Sequence, residues 1–353
     1  MAKAGEIVFQ IIRMLIISTA SFSIAIFLMP VLIKFTRKIG LIKRNIRDSK
    51  SAPIFSKLHQ HKKNTPTAGG IIIWFTVIFL ALILLILSKY LGGIFSYFNF
   101  IDRAQTYLPL ATLLICGVIG LFDDILGAMQ IGPGGGGLRI GIKIILYTLV
   151  AVLGAWWFYF RLDWTVLYVP FLGYIQIGWF YIPLFIFIIV ASSFSANETD
   201  GLDGLAGGVL FFSFASLIVV SLVLHRYHLA VFEASILGAL LAFLWYNIYP
   251  AKIFMGDTGS MALGTTLGII AMLTNTALFL PFFGLILVIE SLSVIIQTIS
   301  KKVFHRKIFL STPIHHHFEA LGWPEAQITM RFWIISAVSS GLGIILFFLS
   351  RFL

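Results

Sequence analysis

Three stretches of this 353-residue chain set carboxylates beside long apolar runs. Asn197, Asp200 and Asp203 stand at three-residue spacing in Asn-Glu-Thr-Asp-Gly-Leu-Asp-Gly-Leu-Ala, residues 197–206. If that stretch is helical, steps of three keep them within about a third of the circumference. Gly201, Gly204, Gly207 and Gly208 keep the neighbourhood slim, so a backbone or a bulky ligand can come close. Asp123, Asp124 and Asp257 add carboxylates at the ends of other apolar runs. A carboxylate beside hydrocarbon costs roughly 2.5–3.5 kcal/mol at a helix centre, so a chain that keeps several there uses them. With no cysteine and few histidines among them, these groups are hard oxygen ligands, suited to Mg²⁺ or Mn²⁺ and not to zinc. Magnesium takes one or two carboxylates and completes its shell with water and phosphate; the other acids could bind a hydroxyl-rich ligand or act as a base. Asp123 and Asp124 are adjacent and point different ways on a helix, so one can ligate while the other hydrogen-bonds.

Lys62, Lys63 and Lys143 supply positive charge, and a metal with lysines is the usual equipment for holding phosphates. Lys63 reads as a topology signal, whereas Lys143 sits a turn inside an apolar segment and needs a partner there. The glycine run 132–137 lacks the Gly-Lys-Ser/Thr ending of a phosphate-binding loop and reads as a flexible linker. His315, His316 and His317 cannot all face one metal from a helix, and no His-Glu-x-x-His occurs. They read as an interfacial loop that donates to phosphate or sugar.

The elements that must position these groups are membrane helices. The chain is 59% hydrophobic and 11% charged, with a mean hydropathy of +1.00. A soluble protein would carry roughly a quarter charged residues. Ten segments approach the ~20 residues that a bilayer requires, near 8–35, 69–88, 106–122, 140–160, 177–196, 205–224, 229–248, 259–275, 278–299 and 332–350. The first lacks a cleavage site and reads as a membrane helix, not a signal peptide. The lone Cys116 excludes an intramolecular disulfide. The net charge of +11 is explained by topology and by a basic mouth for anionic substrates; no nucleic-acid partner is expected. Lys and Arg concentrate in odd-numbered connections, from Arg37 to Lys63 and from Lys301 to Arg331, which makes that side cytoplasmic and both termini external. The stretch Thr65-Pro-Thr-Ala-Gly-Gly70, the paired Asp, the 197–206 stretch, Met255-Gly-Asp-Thr-Gly-Ser260 and the histidines all fall on that side. The expectation is therefore an all-α polytopic membrane protein: about ten helices forming a single domain over 1–353, with an active site on the cytoplasmic face.

Together these motifs closely resemble the phospho-N-acetylmuramoyl-pentapeptide transferases, within the polyprenyl-phosphate N-acetylhexosamine 1-phosphate transferases. The stretches that carry the resemblance are Thr65–Gly70, Phe122-Asp-Asp124, 197–206, Tyr249-Pro-Ala-Lys-Ile-Phe-Met-Gly-Asp-Thr-Gly-Ser260, Pro313-Ile-His-His-His-Phe-Glu319 and Gly322-Trp-Pro-Glu325. The resemblance implies that undecaprenyl phosphate attacks the β-phosphorus of UDP-N-acetylmuramoyl-pentapeptide, that UMP leaves, and that Mg²⁺ is required. It implies Asp257 as the magnesium ligand, Asp123 and Asp124 as the catalytic pair near the lipid phosphate, and Lys143 as a phosphate lysine. Lys62, Asn197, Asp200, Asp203, Asn247 and Phe254 would form the nucleoside side, with Thr67, Gly201 and Leu202 as further substrate-binding residues, and His315 to His317 the basic motif of the last cytoplasmic loop. A bacterial cytoplasmic membrane location follows, and a homodimer is one assembly open to such a chain.

Departures fall at Glu198, where the family usually has Leu, and at Gly127, where a basic residue usually follows the Asp pair. Asn64 and Ala68 stand for a Gly and a Met. None removes a carboxylate. Two rival readings remain. A sibling transferase for UDP-N-acetylglucosamine would share the Asp motifs but not Pro-Ile-His-His-His-Phe-Glu. An ion-coupled transporter would place its acids near the bilayer midplane within an internal repeat.

Overall fold

The computed structural model describes residues 2–42, 62, 64–132 and 136–353. Lys63, the basic residues between Lys43 and Lys57, and the centre of the glycine run lie outside the described residues. In chain order the helices are α1 (Ala2–Lys38), α2 (Ile71–Tyr90), α3 (Ile94–Phe98), α4 (Tyr107–Ala128) and α5 (Ile140–Arg161). A hairpin of β1 (Val166–Val169) and β2 (Gly173–Gln176) follows. Then come α6 (Tyr181–Thr199), α7 (Leu205–Val223), α8 (Tyr227–Asn247), α9 (Asp257–Leu273), α10 (Leu280–Phe283), α11 (Leu285–Val303), α12 (Ile314–Ala320) and α13 (Glu325–Phe352).

Among the described residues, eight helices are long and apolar enough to cross a membrane. This is an all-α, integral multi-pass membrane protein, apart from the short hairpin. Two expected segments differ in form. The expected 278–299 is not one straight rod: α10 and α11 meet at a 90° bend. Pro281 stands inside the short helix and Gly284 takes a non-helical conformation between the two, which is where a continuous helix breaks. The expected 259–275 is the 17-residue α9, which starts two residues earlier, at Asp257. The hairpin, an antiparallel pair from Val166↔Gln176 to Val169↔Gly173, was not anticipated.

Burial separates inner from outer helices. In α8, 78% of the most apolar window is buried inside the protein, against 22% in α5. Large side chains such as Ile145, Leu149 and Leu153 on α5 are exposed, as expected of a face turned to lipid. At the centre runs α9, buried from Thr258 to Leu273 and packed on α4 and α6. Its small residues permit that approach: a Cβ on Gly264 would stand 2.6 Å from the Ala196 Cβ and 2.7 Å from the Ser192 carbonyl. The helix that begins with Asp257 is thus held rigidly at the middle of the bundle.

Candidate active site

The polar motifs collect at one end of this bundle. It holds the C-terminal ends of α4, α6 and α8 and the N-terminal ends of α2, α5, α9 and α13. Backbone pairing ties the first motif to the fourth: Gly69 N donates to the Phe254 carbonyl (2.8 Å), Gly70 N to Met255 (2.9 Å), and Phe254 N to Pro66 (2.9 Å). A Cβ on Gly70 would fall 2.2 Å from the Gly259 Cα, and one on Gly120 would fall 2.3 Å from the Asp257 carbonyl. Glycine at these positions lets α2 and α4 press against the first turn of α9.

Asp257 is the hub. Its carboxylate accepts a hydrogen bond from the Asn197 amide (2.6 Å) and pairs with the Lys143 ammonium. The same ammonium pairs with Asp123 at 2.8 Å. Lys143, on the first turn of α5, thus finds the partner its position demanded. Asp124 points elsewhere: its two oxygens accept the backbone N–H groups of Asp257 and Thr258, both at 3.1 Å. It caps α9 from another helix, satisfying two donors that the helix itself cannot. Asp123 accepts the Leu138 N–H, so the end of the glycine run closes over it. Adjacent on one helix, the two acids divide between a cation and a helix end.

Helix α6 ends at Thr199, so the 197–206 stretch does not continue as a helix carrying all three polar groups. Asn197 lies in the last turn, and Gly204 takes a left-handed φ of 75° before α7 starts. Each group therefore reaches a different neighbour. Asn197 meets Asp257, Asp200 accepts the Gly256 N–H (3.1 Å), and Asp203 turns to Lys62 (2.7 Å) and the Ala251 N–H (2.9 Å).

Around Asp203 lies a second cluster. Lys62 pairs with both Asp203 and Glu325, and Glu325 also accepts the Asp203 N–H at 2.6 Å. Burial by itself would lower the Lys62 pKa, but the facing Glu325 and Asp203 outweigh it and raise it, so the ammonium stays charged. The Lys62 Nζ lies 5.7 Å from the centroid of the half-buried Phe254 ring. The Asn247 side chain links the segments on either side: its oxygen accepts the Gly204 N–H (3.1 Å) and its amide donates to the Ile253 carbonyl (2.9 Å). Thr67 contributes its backbone N–H to the Leu41 carbonyl (3.1 Å). Leu202 is buried in the core.

The histidines occupy a short helix, α12, rather than a loop. His315 Nδ1 faces Glu290 on α11 at 2.9 Å, and both side chains are fully buried. A carboxylate accepts, so Nδ1 donates and Nε2 is directed the other way. That nitrogen points at Gly201, where a Cβ would lie only 2.1 Å from it. Gly201 is the clearance that admits the imidazole to the 197–206 turn. His316 pairs with Glu319 at 2.6 Å, and His317 Nδ1 accepts the Leu310 N–H at 3.2 Å.

Sequence reasoning assigned no role to Glu290 or Glu325. A carboxylate inside the apolar Leu-Ile-Leu-Val-Ile-Glu run was itself a signal. Glu325, directly after Pro324, looks like an ordinary acidic residue opening a helix. The fit to a cation is local. Among the described residues no group of three or more His, Cys, Asp or Glu forms a ready metal cage. The Lys143 ammonium nevertheless stands between two hard carboxylates, and one or two such ligands suffice for magnesium when phosphate completes the shell.

The sequence matches the family Glycosyl transferase family 4 over residues 106–275. It is 37% identical over 332 residues to a phospho-N-acetylmuramoyl-pentapeptide-transferase of Leuconostoc citreum, covering 92% of this chain and 96% of that protein. A protein of the same name from Caldanaerobacter subterraneus is 37% identical over 320 residues, covering 90% and 94%. Another, from Oceanobacillus iheyensis, is 36% identical over 338 residues, covering 94% and 97%.

Proposed function

The chain belongs to the phospho-N-acetylmuramoyl-pentapeptide-transferase family, and we propose that it moves phospho-N-acetylmuramoyl-pentapeptide from UDP to undecaprenyl phosphate. An oxygen of the lipid phosphate attacks the β-phosphorus of the donor. The bond from that phosphorus to the bridging oxygen breaks, UMP leaves with the bridging oxygen, and lipid I stays in the membrane. The observation that carries this reading is the meeting of Asp257, Asp123, Lys143 and Asn197, from four different helices, at the end of a membrane bundle.

In this reading the site faces the cytoplasm of a bacterial inner membrane, as the Lys/Arg asymmetry supports. Phosphoryl transfer asks a protein mainly for positioning and charge neutralisation. Lys143 holds the phosphates and keeps Asp123 and Asp257 in register. Asn197 fixes the Asp257 carboxylate, and Asp124 fixes the first turn of α9 that carries it. Asp123 faces the lipid phosphate. Lys62, Asp203, Asn247 and Phe254 form the nucleoside wall, with Thr67, Asp200, Gly201 and Leu202 around it. His315, oriented by Glu290, turns Nε2 to the same turn, with His316 and His317 beside it on α12, in the connection that meets sugar and peptide. Asp257, with Asp123 beside it, would hold Mg²⁺, which when bound neutralises charge on the diphosphate.

The donor is the discriminating question, because a shared Asp core would serve any UDP-linked N-acetylhexosamine. The basic connection that carries the histidines suits a donor whose lactyl-peptide arm bears carboxylates. Purified protein with Mg²⁺ and undecaprenyl phosphate should release UMP from UDP-N-acetylmuramoyl-pentapeptide and at most a trace from UDP-N-acetylglucosamine. Efficient use of the simpler sugar, with none of the muramoyl donor, would move the chain to the sibling activity.

A further inference from the structure

The end of the bundle away from the carboxylates holds a cavity of about 460 Å³. Its walls come from the residues after α5, the hairpin, the α7–α8 connection, the turn after α9 and the last turn of α13. Lys143 stands in the first turn of α5, whereas the cavity begins at Leu162, just past the last residue of that helix. At ~1.5 Å per residue, the 22 residues of α5 set the two places far apart. Likewise Asp257 opens α9, and the cavity residues Thr274 and Asn275 follow its end.

Two arginines face this cavity. Arg226 lies over the Trp164 ring, 5.9 Å from its centroid, and has no ion pair among the described residues. Arg351 is laid over the Tyr168 ring at 4.0 Å and donates to the Tyr174 hydroxyl at 2.8 Å. Its Nε is buried and has no hydrogen-bond partner among the described residues. The one acid in the lining is Asp163, exposed at the rim. Asn275 holds the hairpin as a fixed wall, its oxygen accepting the Tyr168 N–H (2.9 Å) and its amide donating to the Val166 carbonyl (3.0 Å).

A planar guanidinium fork matches the oxygens of phosphate or carboxylate, and Arg226 and Arg351 both line the cavity. The volume falls in the usual ligand range of roughly 300–1,000 Å³. Aromatic rings beside arginines at the end of membrane helices lie at the level where lipid phosphates stand. We propose that this cavity is a phosphate-binding site held by Arg226 and Arg351, separate from the transferase centre. An anionic lipid headgroup and free inorganic phosphate share that chemistry.

Two arms separate the sources. In neutral detergent, the purified protein is titrated calorimetrically with inorganic phosphate. In nanodiscs that mix phosphatidylcholine with phosphatidylglycerol, the lipid retained per protein is counted by native mass spectrometry. Saturable phosphate binding assigns a free-anion site, and enrichment of phosphatidylglycerol over phosphatidylcholine assigns a lipid site. Arg226→Ala should weaken whichever is found by about tenfold, the loss of one charge-assisted hydrogen bond. Arg226→Lys should retain part of it, and Asp163→Asn, which removes the opposing acid, should tighten it. If Arg226→Ala does not fold, the last two variants decide. No binding in either arm, or binding that all three variants leave unchanged, overturns the proposal.

Discussion

Two lysines at the catalytic end are each clasped by two carboxylates, and the two clasps differ in what surrounds them. Lys62 lies between Asp203 and Glu325, with side chains 9%, 5% and 8% exposed. The Ala251 N–H takes the other oxygen of Asp203, and the Asp203 N–H shares the Glu325 oxygen that Lys62 holds; with all three side chains buried, this clasp is closed. Lys143 lies between Asp123 and Asp257, with Asp123 buried at 6% but Lys143 at 17% and Asp257 at 18% exposed. Among the described residues, the Asn197 amide and the Leu138 N–H take the oxygens of those carboxylates that Lys143 leaves over. A closed clasp joins segments: here residue 62, the 197–206 turn and the start of α13. An open one keeps charge available to an incoming diphosphate. In the proposed reading, the same ion-pair chemistry serves as a strut in one place and as working charge in the other, according to how far the lysine and its partners are buried.

The largest effect should break the open clasp. Asp257→Ala should abolish UMP release, by more than the ~10²–10³-fold typical of removing one electrostatic stabiliser, and should blunt the dependence on Mg²⁺. Near-normal turnover would remove Asp257 from the centre. Asp123→Asn should cost about 10²-fold in kcat with the folded yield intact. Its neighbour gives a sharper contrast. Asp124→Asn keeps an acceptor for one of the two α9 amides but sets its NH2 against the other and loses the charge, so about 1 kcal/mol of stability or more should be lost along with rate, read as a lower melting temperature.

Smaller effects probe the closed clasp and the histidine. Glu290→Gln should slow turnover less than His315→Ala does, because the imidazole stays in place and loses only its orienting charge. Equal loss in both would mean that Glu290 does more than orient. Lys62 gives a pH test with a fixed sign. Its folded pKa is raised, so its contribution to stability is full below the ordinary lysine value of 10.5 and is lost only as the pH rises through the higher folded value. Melting curves between pH 7 and 9 should carry no titration that Lys62→Gln removes. The smallest effect is expected at Glu198, half-buried one residue beyond Asn197. Glu198→Leu should leave activity unchanged or tighten nucleotide binding, and loss of activity in a folded variant would make Glu198 a working member of the site.

Much of this arrangement was legible in the sequence because membranes make both apolar length and stray charge conspicuous. Lys143 announced its need for a partner, and the paired Asp announced divergent directions. The bend between α10 and α11 was harder to read: Pro281 and Gly284 sit in an unbroken apolar run, and hydropathy counts length without direction. Spacing also misled at 197–206. Three-residue steps suggest a helix face, but the helix ends at Thr199, Gly204 turns the chain, and tertiary partners send Asn197, Asp200 and Asp203 to separate neighbours. Glu290 and Glu325 acquire their roles only through His315 and Lys62, residues 25 and 263 positions away, contacts that no local pattern encodes.

The division between strut and working charge is tested most directly by steady-state kinetics on Lys143→Gln and Lys62→Gln, each purified as a folded monodisperse species, with UDP-N-acetylmuramoyl-pentapeptide varied at saturating undecaprenyl phosphate and Mg²⁺. The expected result is a kcat reduced about 10²-fold in Lys143→Gln with KM little changed. Lys62→Gln should instead raise KM for the donor and largely preserve kcat, because its loss loosens the nucleoside wall without removing charge from the reacting phosphates. A collapse of kcat in Lys62→Gln, with Lys143→Gln turning over normally, would contradict the assignment of the two clasps.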